Sequence, residues 1–378
     1  MSVFGVPELE DLDAELDGGL DGRSVLVRVD FNVPITNGEI SDDLRMRAAL
    51  PTLQWLQERG AKVTACSHRG RPKGQPNPEF SMDPVRAHLA TLAPGIELLE
   101  NLRFDPGETA NDSAFVESLI AGHDAYVNDA FGASHREHAS IVGPPGHLPS
   151  AAGRLLAKEV EVLIGVRDAP RRPFVAVMGG AKVSDKLSVI EALLGIVDSI
   201  IVGGGMAFTF LKAKGHDVGD SLLEEDMVAT CARLLDSGAT IHLPEDITAL
   251  GGGGKLFDPE AGGEVRQAGV NLSSGWMGVD VGPYSAALFT DVILDAGTVL
   301  WNGPMGVFED PRFEAGTRAI AEAMAETRAF TVVGGGDSAA AAKQFGVDRS
   351  VDHVSTGGGA SLELIEQGDL PGLAALRS

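Results

Sequence analysis

Residues 67–74, SHRGRPKG, crowd His68, Arg69, Arg71 and Lys73 into eight positions. The whole chain carries 54 acidic residues against 30 basic ones, a formal charge of -24. A chain of that charge repels anions at long range, so a basic island shaped by glycines and a proline asks for a reason. It follows KVTACS, a near-continuous apolar run of the kind that forms a strand buried on both faces. The island is therefore expected at the carboxyl end of a parallel strand, where open α/β sheets bind ligands. Other loops share that placement: RVDFN ends a strand with Asp30 and Asn32, LLENLRF follows one with Arg103, and VNDAFGASHREH follows one with Arg136. Arg45 opens the next helix. One arginine in such a loop is most often a solvated charge, but several at equivalent strand ends form a pattern. Their planar forks match phosphate and carboxylate oxygens two at a time. Asp30 and Asn32 can exchange hydrogen bonds with a substrate hydroxyl. The first half reads as a pocket for a small acid that carries phosphate. HREH at 135–138 sets two histidines three apart, but no third ligand at a recognisable spacing follows, so a metal is not expected there.

The second half uses glycine instead. MGGAKVSDK runs from strand through Gly179 and Gly180 toward a helix, with Lys182 and Lys186 expected one helical turn apart on a shared face. That arrangement would hold an anion at a helix N-terminus, with the glycines letting the backbone approach it. VVGGGDSAAAA repeats the form, and Asp337 reads as a magnesium ligand beside phosphates. VGGGMAFTF at Gly203–Gly205 and VSTGGGASLELI at Gly357–Gly359 add two more glycine-rich helix starts. GGGDSA also matches G-x-G-x-x-A, but without a full βαβ unit and a following ribose-binding acid. No G-x-x-x-x-G-K-[ST] loop is present. Two phosphate-competent halves suggest phosphoryl transfer between ligands bound separately, in a site that excludes water.

Elements to position these loops are legible as strands at 25–29, 62–66, 96–99, 125–127, 174–178, 199–202, 240–243, 298–301, 330–333 and 352–355, with helical patterns between them. Alternation of this kind predicts parallel α/β architecture, here two doubly wound, Rossmann-like domains. Leu44, Ala48 and Trp55 mark one helical stripe, with a kink expected at Pro51. Leu187, Ile190, Leu194 and Val197 mark another, begun by Ser184 or Asp185. Residues 150–168 read as one long helix. The expected division is a domain at 1–150, a connector at 151–170 and a domain at 171–360.

Composition bounds the rest. Cys66 and Cys231 are far apart and form no Cys-x-x-Cys, which fits a reducing cytoplasm rather than a disulfide framework. The acidic start lacks the order of a signal peptide, and no apolar run suits a bilayer span. The acidity argues against nucleic-acid and anionic-membrane partners. Scarce lysine beside abundant acid also suggests adaptation to a salty cytoplasm, where screening relieves self-repulsion.

RVDFNVP, SHRGRPKG, LLENLRF, YVNDAFGASHREH, MGGAKVSDK, IIVGGGMAFTFLK, LWNGPMGVFE, VVGGGDS and HVSTGGGASLELI occur in this order, and the set resembles the phosphoglycerate kinase family over nearly the whole chain. The resemblance implies a bilobal, hinge-bending, monomeric kinase whose residues 361–378 return to the N-terminal lobe. It implies reversible phosphoryl transfer between 1,3-bisphosphoglycerate and ADP, giving 3-phosphoglycerate and ATP, in glycolysis and gluconeogenesis. Asp30, Phe31, Asn32 and Arg45 match the family's 3-phosphoglycerate site. So do His68, Arg69, Gly70, Arg71, Arg103 and Arg136. Lys186, Glu309, Gly335, Gly336, Asp337 and Ser338 match its nucleotide contacts, with Glu309 on the ribose and Asp337 on Mg2+. Gly203, Gly204, Lys182, Asn302 and Pro304 join them as further contacts. Arg45, arriving on lobe closure, with Lys186 and the amides of Gly358 and Gly359, is implied to stabilise the transferring phosphoryl group. Three features depart from the family pattern: Arg69 stands where an apolar residue is common, Val279 where leucine is frequent, and ITALGGGGKLFDPEAGG is unusual beside the expected adenine pocket.

Overall fold

The apolar runs become strands because both faces of their sheets are covered. In the computed structural model, which describes residues 3–378, every residue of Ala125–Asp129, Phe174–Met178 and Thr298–Asn302 is buried. The chain forms two units, Met1–Ile164 with Gly359–Ser378, and Gly165–Gly358.

In the first unit the strands are β1 (Ser24–Val29), β2 (Ile35–Thr36), β3 (Glu39–Ile40), β4 (Lys62–Cys66), β5 (Glu97–Leu98), β6 (Ala125–Asp129) and β7 (Ser150–Ala152). The order β5-β4-β1-β6-β7 makes one parallel sheet, and β2 with β3 makes a separate hairpin. The chain leaves β1 toward β4 and β5, then crosses back to β6 and β7. That reversal opens a crevice at the carboxyl ends of the central strands. Val25, Val27 and Val29 of β1 pack on Met46, Ala49, Leu53 and Leu56 of the helix Leu44–Glu58 within one buried core.

The second unit repeats the plan with β8 (Phe174–Met178), β9 (Ser199–Val202), β10 (Thr240–His242), β14 (Thr298–Asn302), β15 (Phe330–Val333) and β16 (His353–Val354). Their order is β10-β9-β8-β14-β15-β16, again parallel, with the reversal beside β8. Between β10 and β14 the chain inserts an antiparallel sheet that the sequence reading did not foresee: β11 (Asp246–Gly251), β12 (Glu264–Gly269) and β13 (Trp276–Val281), ordered β12-β11-β13.

Several local expectations are corrected. The helix Leu44–Glu58 runs through Pro51, which lies on its exposed side, and its buried stripe is Met46, Ala49, Leu53 and Leu56. Leu44 is exposed, whereas Trp55 packs, partly buried, against the core and also lies under Arg59, whose guanidinium is 3.6 Å from the ring centroid. Residues 150–152 pair with β6 as a strand, and the long helix begins only at Arg154. The helix Leu187–Leu194 starts later than expected and buries Val189, Ile190 and Leu193. Ser184 does not cap it; its amide and hydroxyl bond Glu224. Lys182 therefore lies in a loop, Lys186 sits at the N-cap, and the two do not share a helical face.

Cys66 ends β4 in the first unit and Cys231 lies in the helix Val228–Leu235 of the second; both are buried free thiols. Burial pushes their pKa values up, to about 12 and about 11. Among the described residues, no helix is long and apolar enough to cross a membrane.

Candidate functional site

In the first unit, the loops after β1, β4 and β5 are tied to one another by hydrogen bonds. The Phe31 amide donates to Ser67 Oγ (2.8 Å), the Gly70 amide to Asn32 Oδ1 (3.0 Å), and Arg103 Nη1 to the Gly70 carbonyl (2.8 Å). Arg45 reaches back from the first turn of its helix to Asp30 Oδ2 (3.0 Å) and the Asn32 carbonyl (3.3 Å). Phe31 and Asn32 thus act largely by building the loop, while Asp30 steers Arg45.

The cations then divide by what holds them. Arg71 and Arg136 are exposed and, among the described residues, have no carboxylate partner. Arg103 is half-buried, and its Nε has no hydrogen-bond partner. Burial, reinforced by the nearby charge of Arg28, lowers the Arg103 pKa to about 10. A buried N–H without an acceptor, in a group crowded by like charge, is what an absent anion would satisfy. Arg69 behaves differently. Its guanidinium donates to the carbonyls of Glu79 (2.5 Å) and Ser81 (3.1 Å), so it braces the loop. His68 is buried, and its pKa is held well below the usual imidazole value by that burial and by Arg28, Arg103, His138 and Arg45. His135 also leaves a buried Nδ1 unpartnered, and a Cβ added to Gly359 would lie 3.8 Å from its Nε2.

One group was missed in the sequence. Arg28, the fourth residue of VLVRV, is completely buried beneath this site and paired with the equally buried Glu108. Its signal was present: an arginine inside an otherwise apolar strand must have a buried partner.

In the second unit the glycine loops after β8, β9 and β14 lie against each other. The Gly179 amide donates to the Asn302 carbonyl (3.0 Å), Gly180 to the Pro304 carbonyl (3.1 Å), and Gly204 to the Met305 carbonyl (2.9 Å). A Cβ on Gly179 would lie 2.1 Å from the Pro304 oxygen, so this glycine serves the close approach of two loops rather than that of a ligand. Gly204 has φ +67, and a Cβ there would lie 2.7 Å from Gly180 backbone atoms; Gly203 backs on Met305. Lys186 Nζ donates to the Gly179 carbonyl (2.8 Å), the Asn302 carbonyl (2.9 Å) and Asn302 Oδ1 (2.5 Å). These contacts use all three ammonium protons. Burial lowers its pKa to about 8, against the opposing pull of Asp337 and Asp185. Lys182 is exposed.

The helix Gly336–Gln344 carries Asp337 in its first turn, preceded by Gly335 at φ +93. Asn302 Nδ2 donates to the Gly334 carbonyl (2.8 Å), and Ser338 Oγ accepts from the Gly303 amide (2.5 Å), so both hold the loops in place. Beside them lies a cavity of about 410 Å3. Phe208, Leu222, Leu256, Phe257, Met277 and Val279 form its apolar walls, and Gly204, Pro304, Glu309 and Asp337 also line it. Its size and lining suit a flat aromatic base with a polar tail. The unusual glycine-rich segment is the β11–β12 connection that supplies Leu256 and Phe257. Its tip is pinned next to Glu309: the Phe257 amide donates to Asp310 Oδ2 (2.9 Å) and Arg312 Nη2 to the Lys255 carbonyl (2.8 Å). The amides of Gly358 and Gly359 open the helix Gly358–Gln367.

The chain resembles known proteins over nearly its whole length. The family model described as phosphoglycerate kinase matches residues 15–97 and 93–368. The phosphoglycerate kinase of Salinispora tropica is 52% identical, covering 98% of this chain and 99% of its own. That of Rubrobacter xylanophilus is 50% identical, covering 94% and 96%. The solved phosphoglycerate kinase of Coxiella burnetii superposes with a TM-score of 0.87 at 36% identity, covering 98% of both chains. Full-length likeness in sequence and in fold establishes that the chain belongs to the phosphoglycerate kinase family.

Proposed function

We propose that this kinase moves a phosphoryl group reversibly between 1,3-bisphosphoglycerate and ADP through the residues described above. Starting from 3-phosphoglycerate and ATP, the substrate carboxylate oxygen attacks the terminal phosphorus of ATP and ADP leaves, and in the reverse direction the terminal oxygen of ADP attacks the acyl phosphate and the carboxylate leaves. That carboxylate is ionised at neutral pH, so the reaction needs no general base. Catalysis then rests on alignment and on stabilising the charge spread over the transferring group.

Arg71, Arg103 and Arg136 are the cations proposed to hold phosphoglycerate, with Arg45 held ready by Asp30 and with His68 donating a hydrogen bond. The observation that carries this reading is the unpartnered, buried Nε of Arg103 amid unpaired arginines in a chain of charge -24. Arg69 and Gly70 shape the loop. Glu309 is assigned to the ribose hydroxyls, and the cavity beside it to the base. Arg45, Lys186 and the amides of Gly358 and Gly359 are assigned to the transferring phosphoryl group.

Asp337 fits Mg2+: it is a carboxylate at the cavity that makes no hydrogen bond among the described residues, and Mg2+ characteristically takes one or two carboxylates plus phosphate oxygens. When bound, the ion would neutralise part of the nucleotide's phosphate charge. A cytoplasmic monomer working on small molecules is the accompanying proposal; the two buried free thiols support the reducing compartment, and the monomer follows the family resemblance.

The test is release of ADP from Mg-ATP, resolved by chromatography, with and without 3-phosphoglycerate, at low and at multimolar KCl. Turnover that requires 3-phosphoglycerate is expected, rising with salt if the acidic surface is a salt adaptation. Folded protein that shows no turnover at any salt concentration overturns the assignment, and activity confined to low salt removes the salt adaptation alone.

A further inference from the structure

Arg28 makes all its polar contacts inside the first unit. Its Nε donates to Ser140 Oγ (2.7 Å), Nη1 to the Val29 carbonyl (2.5 Å), and Nη2 meets His68 Nδ1 (3.1 Å) and lies 3.7 Å from Glu108 Oε1. Glu108 grips it a second time through Ser140: the serine hydroxyl donates to Oε1 (2.7 Å) and the serine amide to Oε2 (2.9 Å). The Ser140 carbonyl in turn accepts from the Tyr126 hydroxyl (2.7 Å). Arg28, Glu108, Ser140 and Tyr126 are all completely buried, so no solvent rearranges this chain of bonds.

The chemistry of the partners settles the direction of the Arg28–His68 bond. A guanidinium has five N–H donors, no acceptor, and does not deprotonate in proteins. His68 Nδ1 can therefore meet it only with its lone pair. The ring then holds its single proton on Nε2 and is neutral.

We propose that Arg28, clamped by Glu108 and Ser140, is a positioning residue that locks His68 as the neutral Nε2–H tautomer, so that His68 offers the phosphoglycerate site a fixed hydrogen-bond donor rather than a positive charge. The proposal rests on the reading of His68 as a phosphoglycerate contact. Every neighbour favours the same state. Arg103 and Arg45 oppose a second proton from their own loops, and His138 does so from the β6 side. Glu108, the one carboxylate in the network, is already taken by Arg28 and Ser140 and lies 3.7 Å from His138. Cys66, at the end of β4 just before this loop, stays a thiol because burial raises its pKa to about 12. The lock also removes His68 as a base: one ring nitrogen has its lone pair engaged and the other carries the proton. That suits a reaction whose nucleophile is already a carboxylate.

The test uses long-range proton–nitrogen NMR of protein labelled with 15N-histidine, with the His68 signal identified by its loss in His68→Gln. The ligand-free enzyme should show a protonated Nε2 and a bare Nδ1 at His68 from about pH 5.5 to about pH 8.5. A protonated Nδ1, or titration with a midpoint near 6.5, overturns the lock. In Arg28→Met, which removes every donor facing Nδ1, the two tautomers should average, and KM for 3-phosphoglycerate should rise about tenfold while KM for Mg-ATP moves less than about twofold. The double variant Arg28→Met/Glu108→Gln, which leaves no unpaired buried charge, supplies the same comparison if Arg28→Met does not fold. A lower melting temperature with the His68 signature and the KM ratio unchanged would make the network merely structural and overturn the proposal. A locked His68 whose Nε2 does not respond to added 3-phosphoglycerate overturns its place at the ligand, whereas loss of the kinase reading itself would show in the turnover assay.

Discussion

The two units share a topology and differ in what they place on it. Each puts its ligand loops at the carboxyl ends of the strands flanking a reversal in strand order. In the first unit those loops carry cationic side chains; in the second they carry glycines packed backbone to backbone, with an apolar cavity alongside. A small anion offers little surface but charge, so it needs directed side-chain donors. A nucleotide offers a flat base that apolar walls can hold and phosphates that backbone amides can cradle. The strand order selects the place, and the loop residues select the chemistry.

If the first unit's site depends on buried side-chain charge, Glu108→Ala should have the largest effect. It strands the Arg28 guanidinium in the core, and a loss of about 3–5 kcal/mol is expected, read by urea unfolding with a probe in each unit. Equal loss at a second-unit probe would show that the two units unfold together. In the second unit, Lys186→Met should lower kcat by about 10^2–10^3-fold while binding of Mg-ATP changes little. Arg45→Ala should share that pattern, with turnover falling far more than nucleotide affinity as measured by calorimetry. A comparable fall in both would move these residues from transition-state stabilisation to ground-state binding.

Phe257→Ala probes the apolar wall. It should raise KM for Mg-ATP by about five- to tenfold and leave KM for 3-phosphoglycerate unchanged. A change in both would end the separation of the two sites.

The smallest effect concerns pH. The Lys186 pKa falls to about 8 in the folded protein from 10.5, so between those values the unfolded chain holds a proton that the folded chain has lost. Its contribution to stability therefore rises as pH climbs through that window, while its positive charge fades. Turnover should decline above about pH 8 with no matching loss of stability from this group, checked by pairing a pH–rate profile with denaturation at the same pH values.

Strands buried on both faces were legible because they read as unbroken apolar runs; KVTAC, FVAVM, SIIV and FTVV match β4, β8, β9 and β15 end to end. The antiparallel insertion escaped because a long connection, residues 252–263, rather than a tight turn joins β11 to β12, and β12 is largely exposed. Helix phase was less legible than helix existence. In the helix Leu44–Glu58, Leu44 is exposed while Met46 is completely buried, and side-chain type alone does not distinguish them. At the site, the residue types were visible in the loops but their orientations were not. Arg69 and Arg71 are two residues apart, yet one braces carbonyls and the other is exposed. Lys186 read as a free cation, and only folding reveals that three oxygens surround its ammonium.

The two cysteines have a use that follows from where they lie. One completely buried thiol belongs to each unit, Cys66 at the end of β4 and Cys231 in the helix Val228–Leu235. Neither can react with an alkylating reagent until its surroundings open. The unmodified chain thus carries a pair of internal clocks, and their labelling rates would report the opening free energy of each unit separately.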